Sequence, residues 1–263
     1  VQRVSENVWA IDEFGVALMY LVIGQKKALL IDTGMGLSNV KKVVETLTKV
    51  PYDVVNTHGH FDHMGGNGQF EAAYMHPKTQ ELRNALHEKS YIEKFAAKVF
   101  KDSYFTGQAY ATAYAYRDDF VALPVEQGFV FDLGGRTLEV IETPGHTRGC
   151  ISLLDSKNKL LFDGDVLVST PTLIFDWYSP EIEVYRETLE KLWELRTSYD
   201  LIFPGHFIKP IGQIYLRDMR ICIDNLLRHE AQGVPVDLSH IAQEKALAYQ
   251  YGKARVYYSL KKL

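Results

Sequence analysis

Three imidazoles and a carboxylate crowd into the run Thr57-His58-Gly59-His60-Phe61-Asp62-His63. Buried without partners, each of these side chains would carry a desolvation cost. Around a dication they serve as direct ligands, through neutral imidazole nitrogen and carboxylate oxygen. Further candidates stand downstream: His146 in Thr143-Pro144-Gly145-His146-Thr147, Asp165 in Phe162-Asp163-Gly164-Asp165-Val166, and His206 in Phe203-Pro204-Gly205-His206. Each follows strand-like residues (Leu138 to Ile141, Lys159 to Phe162, Leu201 to Phe203) and sits in or beside a Gly- or Pro-marked turn. A fold that aligns several strand ends along one edge would gather these clusters on loops held by a rigid scaffold.

The ordered set His58-x-His60-x-Asp62-His63, His146, Asp165 and His206 resembles the full ligand set of the metallo-β-lactamase superfamily. The early turn Ile31-Asp32-Thr33-Gly34 resembles that superfamily as well. The resemblance implies one ion held by His58, His60 and His146. It implies a second held by Asp62, His63 and His206, with Asp165 bridging the two. The local spacing agrees, because residues two apart in an extended segment face the same way, so His58 and His60 can grip one ion. Asp62 and His63 reach a second ion once the chain turns into the following helix. Two dications about 3.5–4 Å apart clamp a water, whose pKa falls from 15.7 towards about 7 on zinc. The implied activity is a metal-dependent hydrolase, a bridging hydroxide attacking an ester, thioester or lactone carbonyl of a small to medium substrate. In it Asp62 is the catalytic residue, orienting the nucleophile and taking up its proton. The cofactors expected are two divalent ions, zinc first, with iron or manganese as alternatives.

The subfamily stays open between glyoxalase II-like and lactonase-like enzymes. Glyoxalase II has a C-terminal helical part with basic residues for glutathione, which are not matched here. Lactonases place a tyrosine three residues beyond the bridging aspartate, where this chain has Val168. Zinc β-lactamases lack the bridging aspartate, and the diiron flavoproteins have an acidic residue where His60 stands. The rival from another class is a mononuclear iron persulfide dioxygenase, holding iron with His58, His146 and Asp165; Thr147-Arg148-Gly149-Cys150 resembles theirs somewhat.

The resemblance places the chain in the α+β class, as a four-layer αβ/βα sandwich with a helical insertion. The reading is one domain over 1–263, with the insertion at about 78–118 and an extra C-terminal segment at about 232–263. Strands are expected over 8–11, 16–23, 27–31, 52–56, 129–131, 136–142, 150–155, 159–163 and 200–203. Ser38 is expected to cap a helix whose apolar stripe is Val40, Val43, Val44 and Leu47. Ser179-Pro180-Glu181 reads as a second helix start, with proline in the first turn and the stripe Ile182, Tyr185, Leu189 and Leu192. The insertion carries Tyr91, Phe95, Phe100, Tyr104, Phe105, Tyr110, Tyr114 and Tyr116, either as a lid or dimer contact or as a small core of its own. The loop from Leu167 to Ser179 is unusually apolar and starts at a ligand, so Phe175, Trp177 and Tyr178 are the substrate-contact candidates, for a small molecule with an apolar acyl part.

A formal net charge of −4 offers no basic footprint for nucleic acid. No stretch reaches the length of a membrane span. Cys150 and Cys222 stand far apart and imply no disulfide framework. His76, His87, His229 and His240 lack a second ligand at useful spacing and read as hydrogen-bonded or surface histidines. The chain is expected in the cytoplasm, with a signal upstream of Val1 left open, and a homo-oligomer is compatible with the sequence.

Overall fold

The computed structural model describes residues 1–86, 97, 119–238 and 245–263. The chain forms two compact units, Val1–Thr137 and Leu138–Leu263.

The first unit is built on a sheet whose strands follow chain order: β1 (Gln2–Ser5), β2 (Val8–Glu13), β3 (Ala17–Ile23), β4 (Ala28–Ile31), β5 (Tyr52–Val55), β6 (Ala72–Met75) and β7 (Val121–Pro124). Pairing is antiparallel from β1 to β4 and parallel from β4 to β7. The switch has a sequence cause. Tight turns join the early strands, whereas helix α1 (Val40–Leu47) fills the link from β4 to β5, and a parallel neighbour needs a long crossover. β3 and β4 are buried almost throughout, as strands covered on both faces must be. Met19, Leu21, Leu30, Val40, Val44 and Val54 form the core.

Ser38 does not cap α1. Asn39 does, its side chain accepting from the Lys42 amide at 3.0 Å. The Ser38 hydroxyl is instead committed to buried Glu13, to which it donates at 2.7 Å, with its own amide adding a 2.8 Å bond. Glu13 also receives the Met35 amide, so one carboxylate fastens the turn from Met35 to Ser38. Burial pushes the Glu13 carboxyl up, against the pull of these donors. Short helices α2 (Phe61–Met64) and α3 (Thr79–Leu86), and strand β8 (Val130–Asp132), complete the described part of this unit. The aromatic residues of the expected insertion, Tyr91 to Tyr116, lie outside the described residues, as do His87 and His240.

In the second unit, the main sheet runs β14 (Ile211–Gly212), β13 (Leu201–Pro204), β11 (Leu160–Gly164), β10 (Ile151–Asp155), β9 (Thr137–Glu142). β11 and β13 are parallel, which brings the chain ends after Gly164 and Pro204 to the same edge. Helices α4 (Ile182–Glu194) and α5 (Gln213–Leu227) pack over a core that includes the expected stripe Ile182, Tyr185, Leu189 and Leu192. The cap of α4 is Glu181, so Pro180 lies before the helix rather than in its first turn, because the Ser179 side chain is engaged elsewhere. A smaller sheet runs β12 (Thr172–Ile174), β17 (Ala254–Tyr258), β16 (Ala246–Tyr251), β15 (Val234–Val236), and takes up much of the C-terminal segment. Among the described residues no helix is long and apolar enough to cross a membrane.

Candidate metal centre

The first unit supplies one set of donors from the loop after β5. His60 is the cap residue of α2, and its extended backbone lets the chain pass from strand to helix within one residue. That turn puts His58 and His60 on the incoming segment and Asp62 and His63 in the first helical turn. Gly59 is there for space: a Cβ would stand 2.9 Å from the Leu82 Cβ and 3.0 Å from the Thr79 carbonyl oxygen.

Hydrogen bonds decide which ring nitrogens carry the protons. Asp32 is fully enclosed and accepts three times: from the Thr57 amide at 2.8 Å, the Thr57 hydroxyl at 2.8 Å and His63 Nδ1 at 2.9 Å. Burial pushes the Asp32 carboxyl up, while the His63 and Thr57 donors pull it back. An environment made only of donors calls for the carboxylate. His63 Nδ1 therefore carries the proton, and Nε2 presents its lone pair. The single Thr57 proton is spent on Asp32, so the Thr57 oxygen can only accept from His58 Nδ1, 3.1 Å away. His58 Nε2 is thus also a lone pair, and it faces His60 Nδ1 at 3.1 Å. His63 Nε2 lies 3.7 Å from Asp62 Oδ2. The backbone of His63 is held as firmly: its carbonyl accepts from the Thr33 amide at 2.8 Å and from the Asn56 side chain at 3.1 Å. Asp32 itself has a left-handed backbone (φ 63°), a conformation tolerated better by aspartate than by most residues.

The second unit supplies the other set. His146 Nδ1 donates to the Leu173 carbonyl at 2.8 Å, which again leaves Nε2 with its lone pair. That nitrogen lies 3.7 Å from Asp165 Oδ2, and His206 Nε2 lies 3.0 Å from the same oxygen. The parallel pairing of β11 and β13 explains the meeting of Asp165 and His206, and a 2.7 Å bond from the Gly205 amide to the Gly164 carbonyl locks the two turns together. Gly145 is required by Tyr185, whose ring occupies the space that a Cβ would need. Nearby Asp163 is enclosed and accepts from the Ser152 hydroxyl; burial pushes its carboxyl up to about 8.

These donors fit divalent metal. Three histidines have one nitrogen tied to a carboxylate, a hydroxyl or a carbonyl, the arrangement that fixes tautomer and ring direction in metal-ligating imidazoles. The remaining donors are carboxylates and imidazoles, with no thiolate among them, a set suited to zinc, iron or manganese.

A family model described as the metallo-β-lactamase superfamily matches residues 12–206. The chain belongs to the metallo-β-lactamase superfamily. The human acyl-coenzyme A thioesterase MBLAC2 is 34% identical over 209 residues, which cover 73% of this chain and 73% of that protein. The metallo-beta-lactamase fold-containing protein ST1585 of Sulfurisphaera tokodaii is 28% identical over 247 residues, 87% of this chain and 85% of its own. The crystal structure of TTHA1429, a metallo-beta-lactamase family protein of Thermus thermophilus, aligns with a TM-score of 0.59 at 20% identity, over 87% of this chain and 80% of that one. That likeness shows the fold, which is the α+β metallo-β-lactamase fold expected from the sequence. Membership places this chain among metallo-hydrolases whose sites take divalent metals.

The superfamily's ligand pattern does not mention Asp32's grip on Thr57 and His63, the Leu173 carbonyl or Ser179. Asp32 had a signal, since a carboxylate ending the buried strand β4 must find donors. A backbone acceptor such as Leu173 leaves no mark in a sequence. Of the three substrate-contact candidates, Trp177 is 49% exposed, Tyr178 is buried with its ring centroid 5.6 Å from that of His146, and Phe175 is wholly enclosed. Of the other histidines, His76 is buried, its Nδ1 accepting from the Lys78 amide, and His229 is exposed.

Proposed function

We propose that the chain is a metal-dependent thioesterase whose substrate is an acyl-coenzyme A. Its two donor sets serve one binuclear centre. His58, His60 and His146 hold one ion, Asp62, His63 and His206 hold the other, and Asp165 serves both. The observation that carries metal dependence is the set of three imidazoles held through Nδ1, by the Thr57 hydroxyl, Asp32 and the Leu173 carbonyl, the arrangement found behind metal-ligating histidines. Similarity to acyl-coenzyme A thioesterases supports the thioester among the carbonyl substrates of such a centre.

Divalent ions, when bound, bring a water's pKa towards neutrality and polarise a carbonyl oxygen. The protein's own groups do the rest. Asp62, in the first turn of α2, keeps a partly exposed carboxylate beside the ligand nitrogens. It orients the attacking water and takes up its proton. Asp32 and the Leu173 carbonyl hold the imidazoles so that no reorientation is needed during the reaction. Tyr178 lies against His146 and excludes water there, and exposed Trp177 offers an apolar face to the acyl part.

The test is thiol release from acyl-coenzyme A substrates of graded chain length, with and without a chelator. Turnover that a chelator abolishes and zinc restores is expected. Hydrolysis of lactones but not of coenzyme A thioesters would overturn the substrate, and hydrolysis of neither would overturn the reading.

A further inference from the structure

We infer that the C-terminal tail of the chain is a positioning element for His146, acting through residues 172–181. The inference rests on the reading of His146 as a metal ligand.

Three features of residues 172–179 meet His146. The Leu173 carbonyl accepts from Nδ1 at 2.8 Å. The Ser179 hydroxyl donates to the His146 backbone carbonyl at 2.7 Å while accepting from the Phe175 amide at 2.9 Å. The Tyr178 ring meets the imidazole edge-on at 5.6 Å. Arg148 adds two ties, from its amide to the Tyr178 carbonyl at 3.2 Å and from its guanidinium to the Trp177 carbonyl at 3.0 Å. The ring plane, the backbone and the next turn of the ligand loop are therefore all set by one segment.

Beyond the mutual bonds of Phe175 and Ser179, that segment is held by the C-terminal residues. Among the described residues β12 has one strand partner, β17, and in that parallel pair Leu173 stands opposite Tyr257. The Ser259 amide continues the ladder to the Ile174 carbonyl at 2.9 Å. The last turn then places two lysines on the two acids that bracket Trp177 to Pro180. Lys261 Nζ reaches Asp176 at 2.7 Å, and Lys262 Nζ reaches Glu181 at 3.0 Å and Asp176 at 4.0 Å. The Lys261 pair is exposed and of the kind that contributes little. Lys262 differs, because its side chain is only 5% exposed. Its stem is buried and its ammonium is aimed at the bracket, an arrangement that costs desolvation and fixes direction. The tail thus sets the bracket around Ser179, its strand β17 sets Leu173, and these two set His146.

The test titrates zinc against a competing chelator in the full chain, in Lys262→Met, Lys262→Arg and Ser179→Ala. Changes of this outer kind cost roughly 10–100-fold in metal affinity. Lys262→Met and Ser179→Ala are each expected to weaken one of the two ions by about 10-fold, and Lys262→Arg to restore it. Cobalt substitution supplies a readout that general destabilisation does not move. At saturating cobalt, the Lys262→Met spectrum should be altered and the Lys262→Arg spectrum should match the parent. Unchanged affinity and spectrum in both Lys262→Met and Ser179→Ala would overturn the inference. A parent chain that binds no divalent ion would overturn the metal-dependent function first, before any variant is made.

Discussion

Asp32→Asn is the smallest change that should disable a ligand without touching it. The carboxylate accepts from the Thr57 amide through Oδ1, and from His63 Nδ1 and the Thr57 hydroxyl through Oδ2. An amide must turn a donor towards one side. Facing the Thr57 amide, it would set two buried N–H groups against each other at the cost of about 1–3 kcal/mol. Facing His63, it finds a proton that can move: the imidazole adopts the other tautomer, Nδ1 accepts, and Nε2 becomes N–H. The second outcome is cheaper, and it removes the lone pair that ligation needs. Affinity for the ion held by Asp62, His63 and His206 should fall by about 10–100-fold, or about 1.4–2.7 kcal/mol, and the other ion should weaken as well, because the Thr57 hydroxyl loses Oδ2 as its acceptor and turns its proton to His58 Nδ1. Zinc competition titrations would measure the loss, and nitrogen NMR of the His63 ring would report the tautomer. Two ions bound with parental affinity, and His63 still protonated on Nδ1, would refute the reasoning.

Gly145→Ala should destabilise the chain by roughly 1–3 kcal/mol in urea unfolding, because Tyr185 is fully buried and its hydroxyl is tied to the Val166 carbonyl, so the ring cannot withdraw; parental stability would show that the contact yields freely. His60→Ala and Asp165→Ala should each lower the metal content and abolish thioester turnover, which elemental analysis and thiol release would check together. Both thiols are buried, and burial pushes each up to about 12. The native chain should therefore resist alkylation at pH 8 and react fully once unfolded. The same shift has a sign for stability: its contribution is complete below pH 9 and is lost as pH rises towards about 12, measurable as a falling unfolding midpoint.

The superfamily was legible because the histidine and aspartate types cannot be explained by packing, and their order matches one superfamily. Strands were legible where apolar runs met Gly or Pro turns, as at β9, β11 and β13. The caps were less so. Ser38 and Ser179 both look like cap residues, but each hydroxyl serves a distant partner, Glu13 or His146, that only the folded chain brings near. The small sheet of β12, β15, β16 and β17 was not legible because its key pairing joins residues more than 80 positions apart. Asp32 was visible as part of a motif but not as the anchor of two histidines, since hydrogen-bond partners are set by tertiary placement.

The central claim is that seven side chains hold two divalent ions. Elemental analysis of the purified, unsupplemented chain tests it most directly. The account predicts close to two zinc atoms per chain, falling in His60→Ala and Asp165→Ala. Close to one iron per chain, with oxygen consumed in the presence of a persulfide and no thioester turnover, would contradict it.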